Sequence, residues 1–239
     1  MTPSLTGVEQ VILQTTGTVP RLLFVLAGPS GVGKNTIIKT LLTNNPLMER
    51  VKTYTTRERR PEEIDGQQYH FVTVDQFRDL ARRGKLMEAD ALFDGHDVYG
   101  LGKMYSMPAD VYEEIPPEKH LVIAEVDIYG MRRLKTRYAG CISLFVTAPP
   151  LDLLERIRER KDDFMDDDAL AQRMRTAYEQ FTAASEFDYL VFNHVDRLND
   201  AIDKLESIIL AERNRVRPGF ELQATIPQDA LTTPSRKMA

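Results

Sequence analysis

An α/β fold with a largely parallel sheet is what this sequence predicts, and three observations carry the expectation. Short apolar runs rich in β-branched or aromatic residues occur at 22–27, 51–55, 121–126, 142–147 and 189–192. Stretches of helical period alternate with them, at 35–42, 74–83, 151–160, 168–185 and 197–213. Between the first run and the first helical stretch lies a glycine-rich turn, GPSGVGKN. Strands alternating with amphipathic helices are the signature of a parallel sheet crossed by helices.

The strand assignments rest on short apolar runs and the helical ones on a 3.6-residue recurrence. Residues 68–72 and 86–93 are expected to form a smaller antiparallel patch that brackets the 74–83 helix. Residues 1–20 show no sustained period and read as an extension. Residues 216–239 carry three prolines and few periodic apolar positions, so a disordered tail is expected there. The domain proper is therefore placed at 21–215.

Composition narrows the function. The chain has 239 residues, 42% hydrophobic and 28% charged, ordinary for a globular protein with a substantial core. Its apolar runs fall short of the ~20 residues that cross a bilayer, and its start lacks the basic and apolar regions of a secretory signal, so a cytoplasmic, membrane-free protein is expected. A net charge of -5 argues against a nucleic-acid binder, which needs a basic excess. The single cysteine, Cys141, reads as a buried small apolar side chain. The four histidines are scattered without the spacing of a zinc site.

The turn fits G-x-x-x-x-G-K-[ST] at Gly28, Gly33 and Lys34. Glycines let successive N–H groups point inward, and the following helix adds partial positive charge, so phosphate oxygens meet a ready set of donors. Lys34 adds a point charge. At the last position Asn35 replaces the usual hydroxyl residue and Thr36 follows; either oxygen is of the hard type that magnesium accepts. Downstream, Arg57 and Arg60, three apart, with Tyr69 beyond them, offer forked donors and a phenol to a second phosphate. On spacing alone the RERR run also reads as a solvated surface.

Taken together, these stretches strongly resemble the guanylate kinase family. The pattern GPSG-x-GK-x-T matches Gly28 to Thr36, and T-T-R-x-x-R-x-x-E-x-[DN]-G-x-x-Y-x-F matches Thr55 to Phe71 with the spacing intact. The likeness continues through Glu88, Glu125 to Gly130, Ala148 to Pro150, and Asn193, and covers roughly 20–215.

The resemblance implies a P-loop nucleoside monophosphate kinase fold: a parallel five-stranded sheet with helices on both faces, a small GMP-binding α+β part at about 53–110, and a helical lid at about 153–175. It implies a transferase that uses ATP and Mg²⁺ to phosphorylate GMP in purine nucleotide metabolism, acting on small molecules as a monomer or homodimer. Gly28, Pro29, Ser30, Gly31, Val32, Gly33, Lys34, Asn35 and Thr36 would bind ATP, with Asn35 or Thr36 at the metal. Thr53, Arg57, Arg60, Tyr69, Glu88, Tyr99 and Asp127 would bind GMP, Glu88 reading the guanine edge. Lys34, Arg57 and the lid residues Arg160 and Arg173 would serve the moving phosphoryl group, whose transfer depends mainly on positioning and charge stabilisation.

Three departures are visible. FDGHDVYG holds two more residues before Tyr99 than the family pattern, Leu101 replaces a Ser or Thr, and Tyr129 replaces a Gln. Two other readings therefore stand beside the first: a related kinase of another phosphorylated metabolite, such as a ribose bisphosphate or a different nucleoside monophosphate, and a non-catalytic phosphopeptide-binding module.

Overall fold

The computed structural model describes residues 12–15, 21–87, 103–158, 167–216 and 222–225, with the backbone alone at 12–15, 167–173 and 222–225. In chain order its first elements are β1 (Ile12–Thr15), β2 (Leu22–Ala27), α1 (Lys34–Asn44), β3 (Met48–Arg50), β4 (Thr53–Thr55), β5 (Tyr69–Phe71), α2 (Val74–Arg82) and β6 (Tyr105–Ser106). There follow β7 (Leu121–Glu125), α3 (Ile128–Arg137), β8 (Ile142–Thr147), α4 (Pro150–Arg158), α5 (Asp167–Thr182), β9 (Tyr189–Phe192), α6 (Leu198–Arg213) and β10 (Leu222–Thr225).

Residues 21–210 make one unit. Five strands form a sheet in the order β3-β7-β2-β8-β9, each neighbour parallel to the next. β2 is buried at all six positions because both faces are covered. Its Leu22, Phe24 and Leu26 point into a core with Ile37, Ile38 and Leu41 of α1 and Leu205 and Ile209 of α6. Leu23 and Val25 point the other way, toward Met131 and Leu134 of α3 and toward Val111 and Ile115. Removing the Phe24 ring would cost about 3–5 kcal/mol by transfer and cavity terms together.

This order positions the site. The chain leaves β2 for the edge strand β3, returns to β7 on β2's near side, then crosses to β8 on its other side. Ligands of open α/β sheets sit at the carboxyl ends of strands where the order reverses, here the end of β2. A second, three-stranded sheet, β5-β4-β6, holds β4 parallel to β5 and antiparallel to β6. Its α2 begins with a reciprocal cap: Gln76 N–H donates to Thr73 Oγ1 at 3.2 Å, and Thr73 N–H to Gln76 Oε1 at 2.8 Å.

Several expectations need correcting. Of the strand expected at 51–55 only Thr53–Thr55 is strand, β4 of the second sheet, and β3 of the first sheet ends just before it at Arg50. Val51 N–H still bonds Ile123 O at 2.9 Å, and at Thr53 the pairing passes to Tyr69. The expected antiparallel patch is instead β5 lying parallel to β4; Leu86 makes an isolated bridge to Pro108, and 88–93 fall outside the described residues. Helix α3 was not expected from the periodicity.

The chain ends, 1–20 with 211–239, make a second unit. Within it β1 pairs antiparallel with β10, Ile12 opposite Thr225, so the expected extension and the expected tail each supply a strand. Among the described residues no helix is long and apolar enough to cross a membrane. Cys141 precedes β8 and packs against the second core; burial pushes its thiol up to about 11.

Candidate active site

The loop after β2 is shaped by close backbone approach. A Cβ on Gly28 would lie 1.9 Å from the Val146 carbonyl oxygen of β8, so only glycine lets the chain turn there. Gly33, at φ +90, precedes α1, and a Cβ on it would meet Asn193 Nδ2 at 3.0 Å. That same Nδ2 donates to Val32 O at 2.8 Å, while Asn193 N–H donates to Thr147 O at 2.7 Å. Asn193 thus ties the loop to the sheet from the end of β9. α1 starts without a side-chain cap and without an acidic residue in its first turn, which leaves its amino end suited to an anion.

Lys34 folds over this loop. Its Nζ donates to Gly28 O at 2.7 Å and Pro29 O at 3.2 Å, and lies 3.9 Å from Glu125 Oε1 at the end of β7. Glu125 Oε2 accepts from Arg50 Nη2 at 2.6 Å. Arg50, only 5% exposed, also donates from both Nη atoms to Asn35 Oδ1 at 3.3 Å. The side chain expected at a metal is thus already bonded to a guanidinium, whereas Thr36 is exposed on α1. Asn35 Oδ1 and Glu125, as arranged, do not fit a resident metal held by those two atoms. Among the described residues no group of three or more His, Cys, Asp or Glu is arranged to hold one.

In the loop after β4, Arg57 is held by Glu63. Its Nη1 donates to Glu63 Oε2 at 2.9 Å and its Nη2 to Oε1 at 2.7 Å, a bidentate fork. Glu63 Oε2 also accepts Arg60 N–H at 2.9 Å. Glu63 is 8% exposed; burial pushes its carboxyl up, but the bonds from Arg57 and the Arg60 amide outweigh that and hold it below its ordinary value. Burial likewise opposes the Arg57 charge, and Glu63 restores it above the ordinary value. The guanidinium lies 5.4 Å from the ring centres of Tyr69 and Phe71. Thr55 and Thr56 fix the base of this loop: Thr55 Oγ1 donates to Met104 O at 3.0 Å, and Thr56 Oγ1 accepts Met104 N–H at 2.9 Å.

Tyr69 joins the two sides. Burial drives its phenol far above the ordinary range, and the charges that act on it come from Glu125 and Arg50 at the loop side and from Arg57 at the other, with Tyr105 nearby. Glu125 and Arg50, the partners of Lys34 and Asn35, and Arg57 of the fork therefore all lie within electrostatic reach of one phenol. Thr53 is opposite Tyr69 in the strand register, Arg60 adjoins Glu63, and Asp127 caps α3 by accepting Gly130 N–H at 2.8 Å. Tyr129 is 52% exposed and lies against Arg132, 5.6 Å from guanidinium carbon to ring centre.

Glu88, Tyr99, Leu101 and Arg160 lie outside the described residues, and of Arg173 only the α5 backbone is described. Sequence reasoning missed three residues bonded to the expected site residues, Arg50, Glu63 and Glu125, whereas Arg156 falls in the stretch expected as a lid. Arg156 of α4 lines a cleft with Gly31, Gly33, Thr36 and Asn193. Glu63 and Glu125 stood in matched patterns, which was the signal available. Arg50 had none.

Comparison with known proteins agrees with this geometry. The guanylate kinase family profile matches residues 20–212. A guanylate kinase of Nitrosospira multiformis is 32% identical over 82% of this chain and 88% of its own. That of Desulfitobacterium hafniense is 34% identical over 82% and 92%, and that of Symbiobacterium thermophilum 33% identical over 89% and 96%. The crystal structure of guanylate kinase from Anaplasma phagocytophilum superposes with a TM-score of 0.60 at 20% identity, over 84% of this chain and 89% of that one, a likeness of fold. With its phosphate loop, its Arg57–Glu63 fork and a match through the whole of residues 21–210, this chain belongs to the guanylate kinase family.

Proposed function

We propose that this enzyme transfers the γ-phosphate of ATP to GMP, giving ADP and GDP. One oxygen of the acceptor phosphate forms a bond to the γ-phosphorus while that phosphorus loses its bond to the β-phosphate oxygen, and the electron pair departs with ADP. Two polyanions must be brought together, so cations have to flank the path. The observation that carries the reading is that Arg57 lies 5.4 Å from the half-buried Tyr69 ring while Glu125, 3.9 Å from Lys34, acts on the same phenol.

The loop from Gly28 to Thr36 is assigned the donor phosphates, and Arg57, Arg60 and Tyr69 the acceptor phosphate, with Thr53 and Asp127 beside them. Glu63 is a positioning residue that orients the Arg57 fork. Glu88 is assigned the guanine edge, Tyr99 the acceptor phosphate, and Arg160 and Arg173 the moving phosphoryl group. Magnesium on the donor's phosphates supplies charge neutralisation when bound; Thr36 is the loop's available oxygen for it, and Asn35 becomes one only when Arg50 releases it.

A panel of GMP, AMP, CMP and UMP, assayed by coupled ADP release with ATP and Mg²⁺, tests the reading. GMP should be the preferred acceptor by at least about a hundredfold, since a buried carboxylate left unpaired rejects the wrong base. Equal rates with AMP would remove the assignment of guanine. No turnover with any of the four would favour a different phosphorylated acceptor.

A further inference from the structure

We infer that Arg50 is a resident cation of the phosphate loop, competing with divalent metal for Asn35 Oδ1 and Glu125 so that the protein without nucleotide takes up such ions only weakly. The inference rests on reading Gly28 to Asn35 as a nucleotide phosphate loop, and it assigns a role to a residue outside the loop and outside the arginine fork.

Position 35 offers an amide oxygen where a hydroxyl is usual, and Glu125 ends the strand beside β2, with Leu26 as its register partner. Both are hard oxygen donors beside the loop, and one guanidinium occupies both: 3.3 Å to Asn35 and 2.6 Å to Glu125. Arg50 is almost wholly buried at the end of β3, and its Nε has no acceptor among the described residues. Its hold therefore comes from these two partners. Charge arithmetic runs the same way: one carboxylate faces two cations, Lys34 at 3.9 Å and Arg50. Such a cluster attracts phosphate and repels a bare dication, because the guanidinium is a positive charge held in place by its two partners. Metal then enters with the phosphates it neutralises.

Mn²⁺ titration of the nucleotide-free protein, followed by the EPR signal of the free ion, tests this. The wild type should show weak binding. Arg50→Met should bind Mn²⁺ at least about tenfold more tightly, since a like charge leaves and two oxygens are released. Adding Glu125→Gln to that variant should reverse the gain. Arg50→Lys, which keeps the charge without bridging both oxygens, should fall between, and it serves if the Met variant fails to fold. A Mn²⁺ affinity unchanged in the folded Arg50 variants overturns the inference, as does tight binding to the wild type that Glu125→Gln abolishes. The readout needs neither GMP nor turnover, so failure here leaves phosphotransfer standing, and failure of the acceptor panel leaves this inference standing.

Discussion

The phosphate loop and the Arg57 loop are each assigned a phosphate in the proposed reaction, but one is built from main chain locked into a sheet and the other from side chains held by a carboxylate. Around Gly28 the backbone presses on β8, and Asn193 pins Val32 from β9. Around Arg57 the restraints are Glu63, the rings of Tyr69 and Phe71, and two threonines bonded to Met104. The difference teaches where each can be damaged. A main-chain site fails through packing and takes the fold with it. A side-chain site fails through charge and leaves the fold in place.

The largest effect should come from Gly28→Ala. Its Cβ would overlap the Val146 carbonyl, a backbone atom that cannot rotate away. A loss of at least about 3 kcal/mol is expected, roughly 6–12 °C in Tm for a domain of this size. Thermal unfolding measures it, and an unchanged Tm would show that the loop has slack.

A smaller effect, confined to the other region, should follow Glu63→Gln. The buried fork loses its counter-charge but keeps one acceptor, so about 1–2 kcal/mol of stability is expected to go at neutral pH. The sign of the pH dependence is fixed by the lowered carboxyl. Because the folded-state value lies below the unfolded one, the wild type's advantage is complete above the ordinary carboxylate range and is lost as pH falls through the folded value. Urea unfolding of both proteins across that range checks it; a difference that grows toward acid would contradict the fork.

Much of this was legible in the sequence. β2 and β8 fall on the apolar runs and are buried at every position, both faces being covered, and β9 falls on the apolar run YLVF although Leu190 and Phe192 are exposed at the sheet's edge. α3 was not legible: IYGMRRLKTR spends its outer face on basic residues and carries a glycine, required because a Cβ at Gly130 would lie 2.9 Å from Val126 Cβ. The chain's passage from one sheet to the other at Val51 and Lys52 has no mark in the apolar pattern either. In the site, Lys34 and Arg57 could be named because spacing near in sequence carries their chemistry. Arg50 could not, since a buried arginine looks like a surface charge until Glu125, 75 positions away, is brought to it.

In the proposed reaction Lys34 and Arg57 serve two different phosphates of one reacting assembly. Calorimetric binding of ATP, of GMP, and of adenosine and guanosine joined through a phosphate chain, to wild type, Lys34→Ala and Arg57→Ala, tests it most directly. Lys34→Ala should weaken ATP, Arg57→Ala should weaken GMP, and each should weaken the joined ligand, by about tenfold or more for a charge-assisted contact. GMP binding unchanged by Arg57→Ala, or a joined ligand bound no more tightly than ATP alone by the wild type, would contradict the claim.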